Sequence, residues 1–178
     1  MTELNSSSSW AIILLFVGSI ASLITLQFIR HRVPWNFVVL GIFTAFESVT
    51  LGLVSSTVKS SAVLQALVIT TLIFGGLTMY TLQSKRDFSG MGPWLMGGLM
   101  TLIGVGFVGF FIPYSNTMEL VMAAGGSLLF SGFIIFDTQM ILRRYSTDEY
   151  IAASVSLYLD VINLFLEILR LVSASQRD

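Results

Sequence analysis

Six apolar stretches follow one another along the chain, and short polar connections separate them. A membrane-spanning helix needs roughly 20 mostly apolar residues, and each stretch approaches or exceeds that length. The sequence therefore predicts an all-α integral membrane protein with six hydrophobic helices. The stretches are Trp10–Ile29, Trp35–Val54, Ala62–Leu82, Trp94–Ile112, Met118–Leu142 and Ile151–Val172.

The composition agrees with burial in a membrane and excludes several classes of function. The 178 residues are 54% hydrophobic and 11% charged, whereas a soluble domain carries about 25% charged residues. A net charge of −1 without a basic run excludes a polybasic nucleic-acid-binding protein. The absence of cysteine excludes disulfides and thiolate metal sites, and a single histidine, His31, cannot build a zinc site.

Positive charges are distributed unevenly between alternate connections. By the positive-inside rule, the connections that carry most of the bases face the cytosol, which places the start of the first stretch on the lumenal or outer side. If the sixth stretch spans the membrane, Arg170 and Arg177 are lumenal; if it is re-entrant, they are cytosolic. The charge count favours a re-entrant segment, but the rule weakens for a segment buried in protein, so both alternatives stay open. The bases assigned to the cytosol are Arg30, Arg32, Lys85, Arg86, Arg143 and Arg144, and Lys59 lies opposite.

Charged residues also occur inside the apolar stretches, where each costs at least ~2.5–3.5 kcal/mol on insertion scales. Glu47 lies in the middle of the second stretch. In the sixth, polar residues recur at steps of four, three, four and three, which places them on a single face of a helix. This stripe must face protein or water, so it predicts either a buried polar network or a pathway for cations or protons. Its members are Ser156, Asp160, Asn163, Glu167 and Arg170.

Two aspartates in the last two stretches are expected to meet. Asp137 lies about nine residues before the turn near Ser146, and Asp160 lies about fourteen residues after it. At a rise of ~1.5 Å per residue, two antiparallel helices would bring these carboxyl groups to similar depths. Two acids that share a site cannot both ionise easily, so the pair could act as a proton-operated switch. Arg30, at the end of the first stretch, is a candidate counter-charge for an ionised aspartate.

Three motifs give the chain a specific resemblance. They are "FDTQ" at Phe136–Gln139, "SLYLDVINLFLEILR" at Ser156–Arg170 and "GLTMYTLQSKRDFSGMG" at Gly76–Gly92. The chain resembles the Bax-inhibitor (lifeguard) family, closest to its Golgi anti-apoptotic (lifeguard four) branch, and the similarity extends from about Trp10 to Val172.

The resemblance implies a pH-sensitive calcium leak from Golgi or endoplasmic-reticulum stores that suppresses cell death. Calcium would be the permeant ion, and no bound cofactor is expected. The expected partners are the lipid bilayer and other membrane channels or apoptosis regulators. The family's paired aspartates fall on Asp137 and Asp160, which would also hold calcium transiently, and its arginine partner falls on Arg30. The remaining site residues are Glu47, Asn163 and Glu167 on the ion pathway, and Asp148 and Glu149 in an acidic loop.

One departure from the family concerns the start of the chain. The family has a further hydrophobic span before the one that begins at Trp10. We therefore expect residues 1–178 to form a single Bax-inhibitor-like domain without that span. A natural short form, a truncated sequence and a fragment stay open as explanations.

Two other functions compete with a calcium leak. An intramembrane aspartyl protease also uses two aspartates, but it carries Tyr-Asp in one helix and Gly-x-Gly-Asp in the next. Here Asp137 follows Phe136, and Asp160 follows Leu159 without a glycine pair, so we expect no enzyme. A non-conducting adaptor that regulates cell death or other channels stays the alternative, since it would need the same helices but no ion flux.

Overall fold

A computed structural model describes residues 3–109, 111–146 and 149–176. Within these residues the chain forms α-helices and short 3-10 turns, among them Ser89–Met91, and no strand. The predicted all-α fold with six helices is therefore confirmed. The helices are α1 (Glu3–Ile29), α2 (Trp35–Ser56), α3 (Ser60–Gln83), α4 (Gly92–Gly109), α5 (Asn116–Arg143) and α6 (Tyr150–Ser175).

Apart from the start of α1, every helix end lies within three residues of its predicted position, and two of the differences have a clear physical cause. The first helix begins at Glu3 rather than Trp10, because hydropathy marks the part of a helix that suits lipid and not where backbone hydrogen bonding begins. The fourth helix ends at Gly109 rather than Ile112. Pro113 follows closely and cannot continue a helix, and the Tyr114 hydroxyl donates to the carbonyl oxygen of Val105, which folds the chain back over the last turns of α4.

The surface of the helices is apolar enough for a lipid environment. Helices α2 to α6 are long and apolar enough to cross a membrane, and the described apolar part of α1 is the shorter segment Ile13–Ile29. Large apolar side chains are widely exposed, among them Phe28 at 80%, Trp94 at 84% and Leu128 at 77%. Soluble monomers rarely expose apolar patches beyond a few hundred Å². The chain is therefore a multi-pass membrane protein.

The chain divides into two compact units. The first comprises Met1–Val58 and Thr147–Ala152, and the second comprises Lys59–Ser146 and Ala153–Asp178. The prediction of a single domain over residues 1–178 stays a prediction.

In the first unit, α1 and α2 form a closely packed hairpin. A Cβ atom on Gly18 would lie 2.6 Å from the ring of Phe46, so only glycine permits this approach. The turn is fixed by Asn36, whose Nδ2 donates to the carbonyl oxygen of Arg30 at 3.0 Å and whose Oδ1 accepts from the Phe37 amide at 2.9 Å. The side chain of Asn36 is buried, and these two bonds satisfy its polar atoms.

In the second unit, α5 packs against α4 and α6 through small residues. A Cβ atom on Gly98 of α4 would lie 2.6 Å from Leu129 of α5, and one on Gly126 of α5 would lie 2.8 Å from Glu167 of α6. Without a hydrophobic force between helices in lipid, such close packing of a side chain against a glycine is a main source of packing energy.

The ends of α3 and α5 lie at the same end of the second unit. Gln139, near the end of α5, hydrogen-bonds to backbone atoms of Arg86 and Phe88 in the connection between α3 and α4. We call this the basic end, because four bases lie there: Lys85, Arg86, Arg143 and Arg144.

The last helix runs from the basic end to the opposite end. It is one continuous helix of 26 residues, or ~39 Å, which exceeds the roughly 30 Å hydrocarbon core. Beyond its end, Gln176 hydrogen-bonds to Gln65 and Ser61 in the first turns of α3, and Lys59 donates to the Gln176 carbonyl oxygen at 3.5 Å. The length of α6 and the contacts at its far end favour the spanning alternative over the re-entrant one that charge counting favoured, and the choice between them stays a prediction.

Two adjacent glycines on α4 provide a test of the α4–α5 contact. We expect Gly98→Val to lower stability by about 1–3 kcal/mol, because the new side chain overpacks against Leu129. Gly97→Val is the matched control, since a Cβ atom there meets nothing within 4 Å. The measurement is the thermal unfolding midpoint of each variant in detergent, and equal midpoints would contradict the packing.

Candidate functional site

Asp137 of α5 and Asp160 of α6 lie together in the second unit and share a side-chain hydrogen bond. A bond between two carboxyl groups requires a proton on one of them. Asp160 is only 7% exposed, and its Oδ2 has no hydrogen-bond partner among the described residues. Among the described charged side chains, only Asp160 acts on Asp137 and only Asp137 acts on Asp160. The arrangement can therefore hold one shared proton.

Buried apolar side chains lie next to the pair on both helices. Ile134 lies one turn before Asp137 on α5, Leu164 lies one turn after Asp160 on α6, and both are 0% exposed. In such low-dielectric surroundings, interactions between charges and hydrogen-bonding groups are stronger than in water. We therefore expect a change of one proton to alter the contact between α5 and α6.

The rest of the polar stripe on α6 follows the predicted face. Asn163 is half-buried, and its Nδ2 donates to the Leu159 carbonyl oxygen at 2.8 Å. Glu167 lies against Gly126 of α5 and forms an ion pair with Arg170, with 3.2 Å between Oε2 and Nη1. The side chain of Glu167 is 15% exposed, whereas that of Arg170 is 49% exposed. The stripe thus faces protein at Asp160 and Glu167, whereas Arg170 at its end is exposed.

Glu47 lies in the first unit, where α1 supplies its partner. The Ser19 hydroxyl donates to Glu47 Oε1 at 2.8 Å. Ser19 is buried and Glu47 is half-buried, so the mid-span carboxyl group is solvated by the neighbouring helix. The placement of Glu47 on an ion pathway stays a prediction.

Arg30 also lies in the first unit, at the end of α1. Its Nε donates to Nε2 of His31 at 3.1 Å, and its carbonyl oxygen accepts from Asn36. Its role as the partner of an ionised aspartate stays a prediction.

The acidic loop is only partly described. Asp148 lies outside the described residues, as does Arg177, and Glu149 lies in the turn that directly precedes α6. Within the described residues there is no cluster of three or more histidine, cysteine or acidic side chains. Calcium takes six to eight oxygen ligands, so Asp137 and Asp160 would supply part of the shell of a passing ion. That role also stays a prediction.

Sequence reasoning missed Gln139, whose side chain is only 4% exposed. Its Oε1 accepts from the Phe88 amide at 2.5 Å, and its Nε2 donates to the Arg86 carbonyl oxygen at 2.8 Å. The available signal was a large amide side chain inside an apolar helix, two residues after Asp137. A buried amide requires partners for both its donor and its acceptor, which marks such a residue for a tertiary contact.

Comparison with known proteins identifies relatives over most of the chain. The family described as Inhibitor of apoptosis-promoting Bax1 matches residues 1–177. Protein lifeguard 4 of Mus musculus is 47% identical over 165 residues, covering 92% of this chain and 69% of that protein. The Golgi anti-apoptotic protein of Vaccinia virus (strain Lister) is 45% identical over 160 residues, with 90% and 67% covered. Bax inhibitor 1 of Schizosaccharomyces pombe is 40% identical over 169 residues, with 95% and 64% covered. None of these names is that of an enzyme.

The contact between Ser19 and Glu47 gives a testable prediction for the first unit. We expect Ser19→Ala to destabilise the protein by about 1–3 kcal/mol, because a half-buried carboxyl group loses its donor. Ser48→Ala is the control, since this exposed hydroxyl bonds only within its own helix in the described contacts. Thermal unfolding of both variants in detergent measures the difference. An unfolding midpoint of Ser19→Ala equal to that of the control would show that the bond contributes little.

Proposed function

The chain belongs to the Bax-inhibitor family, and we propose that it suppresses apoptosis from Golgi or endoplasmic-reticulum membranes by leaking calcium from the store. The proton shared by Asp137 and Asp160 would set the leak. The names of its relatives support the anti-apoptotic role and the Golgi location, since one is a Golgi anti-apoptotic protein and another a Bax inhibitor.

The observation that carries the proposal is the carboxyl pair formed by the half-buried Asp137 and the buried Asp160. With one proton, Asp137 and Asp160 hold α5 and α6 together through their hydrogen bond. Without it, two negative charges in apolar surroundings repel each other and favour separation, or an approach of one to a cation such as Arg30. These are two discrete arrangements that proton concentration selects between, as a switch requires.

The stripe on α6 supports a cation pathway. Asp160 and Glu167 are seven residues apart on one face of α6, or ~10 Å along the helix axis. A cation that leaves one carboxylate would meet Asn163 on its way to the next. Such spacing gives several weak sites in series, which conduction requires.

A non-conducting adaptor is the second candidate, and α3 supplies an observation in its favour. Gly75 and Gly76 lie side by side on α3, and a Cβ atom on either meets nothing within 4 Å. A small-residue surface that is open in this way allows a helix of another membrane protein to approach closely. In that case the carboxyl pair would change the shape of α5 and α6 without passing an ion.

Calcium flux with purified protein separates the two candidates. The protein is reconstituted alone into liposomes that contain a calcium-sensitive dye, and flux is followed from pH 5 to 9. A pH-dependent flux is expected for the leak. Well-folded protein that gives no flux at any pH, yet protects cells from death, would replace the leak with the adaptor.

Substitution of either aspartate tests the switch. We expect Asp137→Asn and Asp160→Asn each to give flux that varies little between about pH 6 and 8, because an amide cannot exchange the shared proton. The matched control is Glu119→Gln in the first turn of α5, an acid-to-amide change far along the helix from the pair, which should keep the wild-type profile. If both variants of the pair also keep that profile, the pair is not the sensor.

Substitution of Glu47 tests the extent of the pathway. We expect Glu47→Gln to lower calcium flux at least about fivefold, because a passing cation loses an attraction of about 1 kcal/mol or more. Folding should be preserved, since the amide oxygen can still accept from Ser19. Glu119→Gln, an acid-to-amide change in the first turn of α5, is the control. Unchanged flux in a well-folded Glu47→Gln protein would leave Glu47 with a packing role alone.

A further inference from the structure

The connection between α3 and α4 is fastened to α5 by one side chain. Gln139 accepts from the backbone amide of Phe88 and donates to the backbone carbonyl of Arg86. These two residues flank Asp87, so the amide group pairs with the connection on both sides of it. We call this pair of hydrogen bonds the Gln139 latch.

Further contacts hold the same connection along the same stretch of α5. A Cβ atom on Gly92, at the start of α4, would lie 3.3 Å from the ring of Phe136. Hydrogen bonds from Ser89, together with the charges of Arg143 and Arg144 at the end of α5, hold the pKa of Asp87 below its usual range. The connection therefore follows α5 over the two turns that include Asp137.

The latch and the carboxyl pair lie on opposite faces of one turn of α5. Residues two apart on a helix point about 200° apart. Asp137 is turned towards Asp160 of α6, so Gln139 is turned away from it towards the connection. This turn of α5 is fixed on both faces, and a rotation or slide that separates the carboxyl groups must also strain the latch.

We propose that Gln139 is a positioning residue that holds Asp137 in register with Asp160, so that the two can share a proton. Loss of the latch lets this turn of α5 move, which increases the mean distance between the carboxyl groups and weakens their coupled titration. The effect on calcium flux rests on the proposed function, whereas the effect on the carboxyl pair does not.

Three substitutions separate positioning from simple attachment. Gln139→Met keeps the length of the side chain and removes both hydrogen bonds. Gln139→Glu keeps both bonds when the new carboxyl group is protonated and loses the donor to Arg86 when it is ionised. Gln83→Met is the control, because Gln83 is an exposed glutamine at the end of α3.

The first measurement follows the connection itself. The chain has no cysteine, so spin labels can be placed at Gly90→Cys, where a Cβ atom meets nothing within 4 Å, and at Leu142→Cys, which is 52% exposed. We expect a narrow distribution of label-to-label distances in the wild-type background and in Gln83→Met. In Gln139→Met we expect a broad distribution. In Gln139→Glu the distribution of distances should change reversibly from narrow at low pH to broad at high pH. This reversal within one folded protein keeps the test valid if Gln139→Met folds poorly.

The second measurement follows the carboxyl pair. Infrared difference spectra against pH report protonated buried carboxyl groups, and the band that Asp160→Asn lacks belongs to the pair. We expect two well-separated titration steps in the wild type and in Gln83→Met, and titration steps less than about 1 pH unit apart in Gln139→Met.

If Gln139→Met releases the connection but leaves these titration steps unchanged, Gln139 only attaches the connection and the positioning role is overturned. If the distribution of label distances instead stays narrow in Gln139→Met, the Gln139 latch itself is overturned. If both readouts change as expected while liposome flux is independent of pH in the wild type, positioning stands and the proposed function fails.

Discussion

The contact between two carboxyl groups is the interaction on which the proposed switch in the second unit depends. Asp137 and Asp160 lie among apolar side chains with no other described charge acting on them. Lipid cannot hydrate either group, so each must be satisfied by the other. Close packing at Gly126 brings α6 near enough to α5 for this contact, and the Gln139 latch fixes the opposite face of α5. The carboxyl pair and its supports therefore form one structural arrangement.

The first unit holds its mid-span acid without a second carboxyl group. Its mid-span acid, Glu47, accepts a hydrogen bond from Ser19 on the neighbouring helix. The hydroxyl group of Ser19 is the donor in this contact, so it fixes α1 against α2 without a second acid. The two units thus hold their acids in chemically different ways, one through a neutral donor and the other through a second acid.

Local patterns predicted the helices well but not the contacts that depend on tertiary packing. Hydropathy located all six helices, and helical rise placed Asp137 and Asp160 at matching depths. Charge counting favoured a re-entrant α6 because it treats every segment as exposed to lipid, whereas α6 has the largest buried share of the candidate spans, 39%. The partners of Gln139 lie more than fifty residues away in sequence, so no local spacing could identify them. The end of α4 at Gly109 likewise depends on the contact from Tyr114.

The attachment of Gln176 to α3 determines how α6 can move. Its hydrogen bonds to Gln65 and Ser61 hold the far end of the helix, while the carboxyl pair holds it ~24 Å away. A helix held at one end pivots more readily than it slides. In the proposed switch, a separation of the pair would move Glu167, ~14 Å from the pivot, only about half as far as Asp160. The space between α5 and α6 would then open as a wedge, wide at the basic end and narrow near Lys59, so that the narrow end limits what can pass.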